Sequence, residues 1–300
     1  MIQNKQKSKI TQLLPWQKLG NFIRFCFLTC LIFYIGFSGV VYAQNLPKMK
    51  IDFLDIGQGD SIYIEAPNGH QLLIDGGRDN RVIKKLQEVM PYGDNSIDVI
   101  IATHPDADHV GGLNDVIKKY SVGAVLEPGV SATTKTYQLL ESLIIQKNIP
   151  HILARRGMQI ILDEKNGIYV EILFPDRDTT GWETNSAAIV AKLIYGKTSV
   201  ILTADAPIKN ELYLIGLDKE ILKTNILKLG HHGSRTSSSE QFLRATSPDL
   251  AIISAGKNNS YGHPHKEVLD FLQKLNIPYL STIDDGTIKC ESDSLVIDCK

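Results

Sequence analysis

Residues 98–112 read Asp-Val-Ile-Ile-Ala-Thr-His-Pro-Asp-Ala-Asp-His-Val-Gly-Gly. Val99 to Ala102 is an unbroken apolar run, which fits a strand buried on both faces. Two histidines and two aspartates then fall within six residues: His104, Asp106, Asp108 and His109. Pro105 keeps His104 out of helical geometry, and Gly111-Gly112 leave room around the loop before a helical stretch at 113–120. Strand carboxyl ends are where α/β folds place their sites. Imidazole and carboxylate groups clustered this way can ligate one or two divalent metals. A surface loop with Asp108 as a helix cap accounts for one such residue and leaves three unexplained.

Outward from this loop, strand-like runs occupy 49–56, 61–66 and 71–76, with helices at 81–90, 113–120 and 136–148 and further strands at 98–104 and 122–128. The second half alternates likewise. Strands are expected at 158–163, 167–175, 187–196, 198–205, 225–230, 250–256, 279–283, 286–290 and 295–299. Helices are expected at 209–216, 240–246 and 266–275. A mixed α/β chain with many hairpins suits two sheets sandwiched by helices better than one parallel sheet.

The chain has 300 residues, 43% hydrophobic and 22% charged, which excludes a disordered, collagen-like or multi-span membrane protein. Charge is unevenly spread. Residues 1–43 carry five basic side chains and no acid, leaving 27 basic against 33 acidic residues in the rest. So acidic a body does not advertise broad nucleic-acid binding, although a local basic groove is compatible with it. Phe25 to Ala43 is free of charge and ends in Val41-Tyr42-Ala43, so 1–43 reads as a signal peptide or a membrane anchor, with the working domain at 47–300 outside the cytoplasm. Cys26 and Cys30 lie in that apolar stretch. Cys290 and Cys299 flank an expected hairpin, as a disulfide or as two free thiols.

The loop resembles the His-x-His-x-Asp-His signature of the metallo-β-lactamase superfamily, with Asp106 at the second position. With Leu54-Asp55-Ile56-Gly57-Gln58-Gly59-Asp60-Ser61, Leu73-Ile74-Asp75-Gly76-Gly77, Asn185-Ser186, Leu202-Thr203-Ala204-Asp205-Ala206, Lys228-Leu229-Gly230-His231-His232-Gly233-Ser234 and Tyr261-Gly262-His263-Pro264, it is similar to the hydrolase domain of the ComEC competence proteins. The resemblance covers essentially residues 49–290. It implies an α/β fold, a four-layer αββα sandwich, and one or two divalent ions, Mn²⁺ or Zn²⁺. By it, His104 and Asp106 correspond to ligands of the first metal, and Asp108 and His109 to those of the second. Asp205 corresponds to the bridging carboxylate, where Ala204 replaces the more usual Gly, and His231 to the last histidine ligand. Its neighbour His232 then acts in catalysis beside Asp108, and which of the two histidines binds metal stays open. Asp75 would orient ligands from behind. Asn185 lies near the place of a missing histidine and is read, with Ser234, as a substrate contact. A carboxylate and an amide in place of two imidazoles harden the site toward Mn²⁺ or Mg²⁺, while His104, His109 and His231 keep Zn²⁺ open.

His263 precedes Pro264 and the helix at 266–275. At the positive end of that helix it would bind a phosphate oxygen and donate to a leaving group. Asp55 and Asp60 read as turn formers, and His70, His151 and His265 as surface or structural. The expected function is an exported metal-dependent hydrolase, a phosphodiesterase or nuclease attacking with a metal-held hydroxide. Its partner would be a phosphoester substrate, DNA among them, and it would meet a membrane only through an uncleaved amino-terminal segment. The alternatives are hydrolysis of a lactone, lactam or thioester, and a non-catalytic exported binding module.

Overall fold

The computed structural model describes residues 24–34 and 47–300, which belong to two units, Met1–Leu46 and Pro47–Lys300. In the first, residues 24–34 form helix α1, with Phe25, Phe27 and Phe33 exposed. No helix among the described residues is long and apolar enough to cross a membrane. Most of the segment read as signal peptide or anchor, including Val41-Tyr42-Ala43, lies outside the described residues.

In the second unit, strands with two apolar faces bury both. Ile62 and Ile64 of β2 (Ile62–Glu65) join one hydrophobic cluster and Tyr63 another. Leu72 and Ile74 of β3 (Gln71–Ile74) divide from Leu73 in the same way. The period of two sends alternate residues to opposite faces, so each strand needs a layer on either side.

The first sheet holds eight strands in the order β15-β14-β1-β2-β3-β4-β5-β6. Its other members are β1 (Met49–Phe53), β4 (Ser96–Ile101), β5 (Ser121–Glu127), β6 (His151–Leu153), β14 (Ile288–Ser292) and β15 (Ile297–Cys299). The second has seven strands in the order β13-β12-β11-β10-β9-β8-β7: β7 (Gln159–Asp163), β8 (Ile168–Phe174), β9 (Val190–Tyr195), β10 (Thr198–Leu202), β11 (Ile226–Lys228), β12 (Leu250–Ile253) and β13 (Tyr279–Ser281). Strands β3 to β6 pair in parallel, as do β10 to β13.

One core, with Phe53, Leu72, Val170 and Val200, lies between the sheets. Helices α2 (Arg81–Val89), α4 (Leu113–Lys119) and α5 (Lys135–Gln146) cover the outer face of the first sheet through Leu86, Val116 and Leu140. Helices α6 (Ile208–Asp218), α7 (Glu240–Thr246) and α8 (Lys266–Leu275) cover the second through Leu214, Phe242 and Leu272. Each such side chain, fully buried, contributes roughly 1.5–3 kcal/mol. The result is the expected four-layer αββα sandwich.

Three expectations change. The strand at 279–283 stops at Ser281, and Thr282–Asp285 forms a short helix, α9, because the Ser281 hydroxyl accepts from Ile283 N and the Asp285 carboxylate from Ser281 N. The strand expected from 187 begins at Val190, since Asn185–Ala187 is a 3₁₀ turn. Helix α8 is capped at His265, so Pro264 stands outside it and His263 is two residues before the cap. Strand β6 was not expected, being three residues long and exposed throughout.

At the carboxyl terminus, Lys289 and Lys300 exchange both backbone hydrogen bonds. The next pair, Cys290 and Cys299, therefore occupies the close, non-hydrogen-bonded position, and it is disulfide-bonded.

Candidate metal centre

Five strands deliver the polar cluster from their carboxyl or loop ends. Asp75 follows β3, His104 follows β4, Asp205 follows β10, His232 follows β11 and Ser254 follows β12. Asp60 comes from the turn between β1 and β2, and the short helix α3 (Ala107–Val110) supplies Asp108 and His109. The loops interlock through their backbones: Asp60 N donates to Asp108 O, Gly76 N to His109 O and Gly112 N to Gly77 O. Glycine is required at two of these crossings. A Cβ on Gly59 would stand 2.1 Å from Asp108 O, and one on Gly112 2.1 Å from Gly76 O.

Each inner histidine is held by its outer nitrogen. His109 Nδ1 donates to Asp75 Oδ2 at 2.7 Å. Asp75 also accepts from Thr103 N (2.9 Å) and Thr103 Oγ1 (2.7 Å). With its proton committed, the Thr103 hydroxyl accepts from His104 Nδ1 at 3.1 Å. His232 Nδ1 donates to Ser254 O at 3.0 Å. These bonds set the tautomer so that every Nε2 presents a lone pair inward.

The inward atoms have no hydrogen-bond partner. Nε2 of His104, His109 and His232 and Oδ1 of Asp205 are all buried and unsatisfied. Asp205 Oδ1 lies 3.2 Å from His109 Nε2 and 3.7 Å from His232 Nε2, and Asp205 Oδ2 lies 3.9 Å from His104 Nε2. Asp108 Oδ2 is 3.6 Å from His232 Nε2. Ligand atoms of His104, His109 and Asp205, of Asp108, His109 and His232, and of Asp60, Asp205 and His232 each come within 4.8 Å of one another. Buried polar atoms left unpaired are costly, and one or two divalent cations bound among them would satisfy them. The donor set of imidazole nitrogens and carboxylate oxygens fits such an ion.

Electrostatics points the same way. Burial opposes charge on His109, yet Asp205 and Asp75 outweigh it and hold the ring well above its ordinary value. Burial likewise lowers His232, but Asp205 and Asp60 bring it up to about 9. Burial raises Asp108, and hydrogen bonding to His232 with the charge of His109 brings it down to about 2. Asp205 lies well below the carboxylate range, held against burial by His109 and His232. His104, pushed down by burial and then by His109, stays neutral. The pocket stabilises positive charge, which a metal supplies in place of protons.

The remaining expected residues are placed as follows. His231 is on the rim, its side chain 27% exposed, with Nε2 3.4 Å from Asp205 Oδ2 and Nδ1 3.2 Å from Thr236 Oγ1. His231 and His232 both have left-handed backbones (φ 50° and 59°), as does Ala204 (φ 45°), whose carbonyl accepts from His231 N. That tight double turn, unusual for non-glycine residues, sends one ring inward and the other to the rim. Asp106 caps α3 by position, its side chain 40% exposed and 3.8 Å from His104 Nε2.

His263 stacks on Tyr261, with its ring 5.4 Å from His231 edge-on and 6.0 Å from His232. Burial and then the imidazoles of His232, His231 and His265 push it down to about 4. Ser234, expected at the substrate, is buried and hydrogen-bonded to Thr236 within its own loop. Asn185 starts its 3₁₀ turn with Oδ1 buried and unpaired.

Asp60, expected to be a turn former, is instead fully buried. Its Oδ2 meets Lys228 Nζ at 2.5 Å and its Oδ1 lies 3.2 Å from His232 Nδ1. Lys228, which the residue pattern did not single out, is 0% exposed. The signal available was a lone charge inside the apolar run Ile226-Leu227-Lys228-Leu229.

Comparison with known proteins gives the same picture. Residues 54–257 match the family described as Metallo-beta-lactamase superfamily. The chain is 31% identical over 280 residues to ComE operon protein 3 of Bacillus subtilis, covering 87% of this chain and 35% of that protein. It is 30% identical to Recombination protein 2 of Haemophilus influenzae, covering 86% and 31%. The chain thus spans about a third of the length of these relatives. Among solved structures, the metallo-beta-lactamase fold protein YhfI of Bacillus subtilis superposes with a TM-score of 0.55 at 10% identity, over 84% of this chain and 100% of that one.

Proposed function

From the premise that the chain belongs to the metallo-β-lactamase superfamily of metal-dependent hydrolases, we propose that it is an exported phosphodiesterase acting on nucleic acid, with Mn²⁺ or Zn²⁺ at its centre. The observation that carries the reading is the gathering of buried, unpaired Nε2 atoms of His104, His109 and His232 around the Asp205 carboxylate, within 3.2–3.9 Å of one or other of its oxygens. Similarity to a protein named for recombination supports a nucleic-acid substrate over a lactam or lactone.

In this reading His104, His109, His232, Asp205 and Asp108 would hold one or two ions. The roles first expected of His231 and His232 are exchanged, because His232 faces inward and is anchored by Ser254 O. Asp75 and Thr103 fix His109 and His104 from behind. A bound dication there supplies Lewis acidity toward a phosphoryl oxygen and brings the pKa of water to the neutral range. His231 and His263 at the rim orient the phosphodiester by hydrogen bonds, and the unpaired Oδ1 of Asn185 accepts from the substrate or its water.

The test is a substrate panel on the full chain loaded with Mn²⁺ or Zn²⁺. Single-stranded DNA and a model phosphodiester are expected to turn over, and a lactam chromogen is not. Hydrolysis of the lactam with the phosphodiesters untouched would replace this reading with the carboxylic one.

A further inference from the structure

Beside the centre lies an open cleft of about 480 Å³ that the metal chemistry does not use, a volume in the range of small-molecule sites. The loop between β8 and β9 and the first turns of α6 form it. The helix side is tied to the centre by the chain itself: Lys209 comes four residues after Asp205, which bounds their α-carbons to roughly 14 Å. Asn210 ties the two walls together by donating from Nδ2 to Ser186 O at 2.9 Å.

The cleft is aromatic. Phe174 forms its floor, with the rings of Trp182 and Tyr213 each 6.2 Å from it by centroid. Its charges cancel. Asp176 is held by Arg177 at 2.8 and 2.9 Å and by the Tyr213 hydroxyl. The Glu183 carboxylate is occupied by Ser186 N, Ser186 Oγ and Asn185 N, and Lys209 balances it. A neutral, aromatic-walled cleft with amide and hydroxyl edges rejects a phosphate and accepts a planar heteroaromatic ring.

We infer that this cleft is a nucleobase subsite, in which a base within a few nucleotides of the scissile phosphodiester stacks on Trp182. The inference rests on the nucleic-acid reading above and adds to it a place where the base, not only the phosphate, is recognised.

Trp182 is its own reporter. The chain has two tryptophans, Trp16 and Trp182, so in the full chain carrying Trp16→Phe all tryptophan emission comes from Trp182. A single-stranded oligonucleotide is expected to quench that emission saturably, and an abasic strand of equal length to do so about tenfold more weakly. In turnover, Trp182→Ala is expected to raise KM for the base-bearing strand about tenfold and leave the abasic strand's KM and kcat unchanged, with Trp182→Phe restoring most of the loss. Equal quenching by both strands, or a Trp182→Ala protein with unaltered KM, overturns the subsite while leaving the phosphodiesterase reading intact. Base-selective quenching by a protein that cleaves neither strand keeps the subsite and overturns the catalytic reading.

Discussion

Two places in the second unit bring histidine and carboxylates within 4.8 Å of one another, and they are built on opposite plans. At the metal centre the histidines spend Nδ1 on Asp75, Thr103 and Ser254 and keep Nε2 unpaired and buried. At the far cluster of Glu127, Glu141 and His151, the histidine spends Nε2 itself on Glu127, 3.2 Å away, with its side chain 28% exposed. Glu127 is occupied a second time by the Tyr137 hydroxyl at 2.8 Å. The residue types match, but the hydrogen bonding differs. A cup for a cation needs its ligands oriented from outside and left hungry inside, whereas in the second cluster the histidine nitrogen that would face a cation is already paired with Glu127.

The largest expected effect breaks the first plan outright. Asp205→Ala, Asp108→Ala and His109→Ala should each lose bound metal and at least about a thousandfold in kcat while remaining folded; wild-type metal content and rates in any of them would erase the distinction. Smaller and sharper is Asp75→Asn, which leaves one accepting oxygen where the fold uses two. Metal affinity should fall by roughly 10–100-fold with no ligand touched, as read by competition with a chelator. At the second cluster Glu141→Gln should alter neither metal content nor turnover, and a drop in either would make it a site.

The smallest effect is a pH dependence. The bond to Glu127 outweighs burial and raises His151 above the ordinary histidine value of about 6.5. The stability it lends is therefore complete below about 6.5 and fades as pH rises through the raised value. For a partly exposed pair this amounts to about 1 kcal/mol or less. His151→Gln should lower Tm at pH 6 and converge with the wild type at higher pH. Parallel Tm profiles would remove the charge from the account.

Much of this was legible in advance. The apolar runs of β2, β3 and β10 announced strands, and the spacing of His104, Asp106, Asp108 and His109 announced candidate ligands on one loop. Asp205 was legible as a carboxylate at a strand end. Less visible were short elements such as β6, where three residues cannot display a period, and α9, where two side-chain hydrogen bonds override a strand-like run. Ser234 was expected at the substrate because its neighbours are small, and its side chain is buried and paired with Thr236 in its own loop.

Residue order alone settles the layer count and the inventory of possible ligands, since both follow from local periodicity and local spacing. Folding decides how that inventory is used. The adjacent His231 and His232 are chemically identical, and only the left-handed turn against Ala204 O and the carbonyl of Ser254 choose which ring faces inward. Asp60 and Lys228, 168 residues apart, acquire their partnership only when the two sheets close on each other. No local pattern encodes a contact of that range.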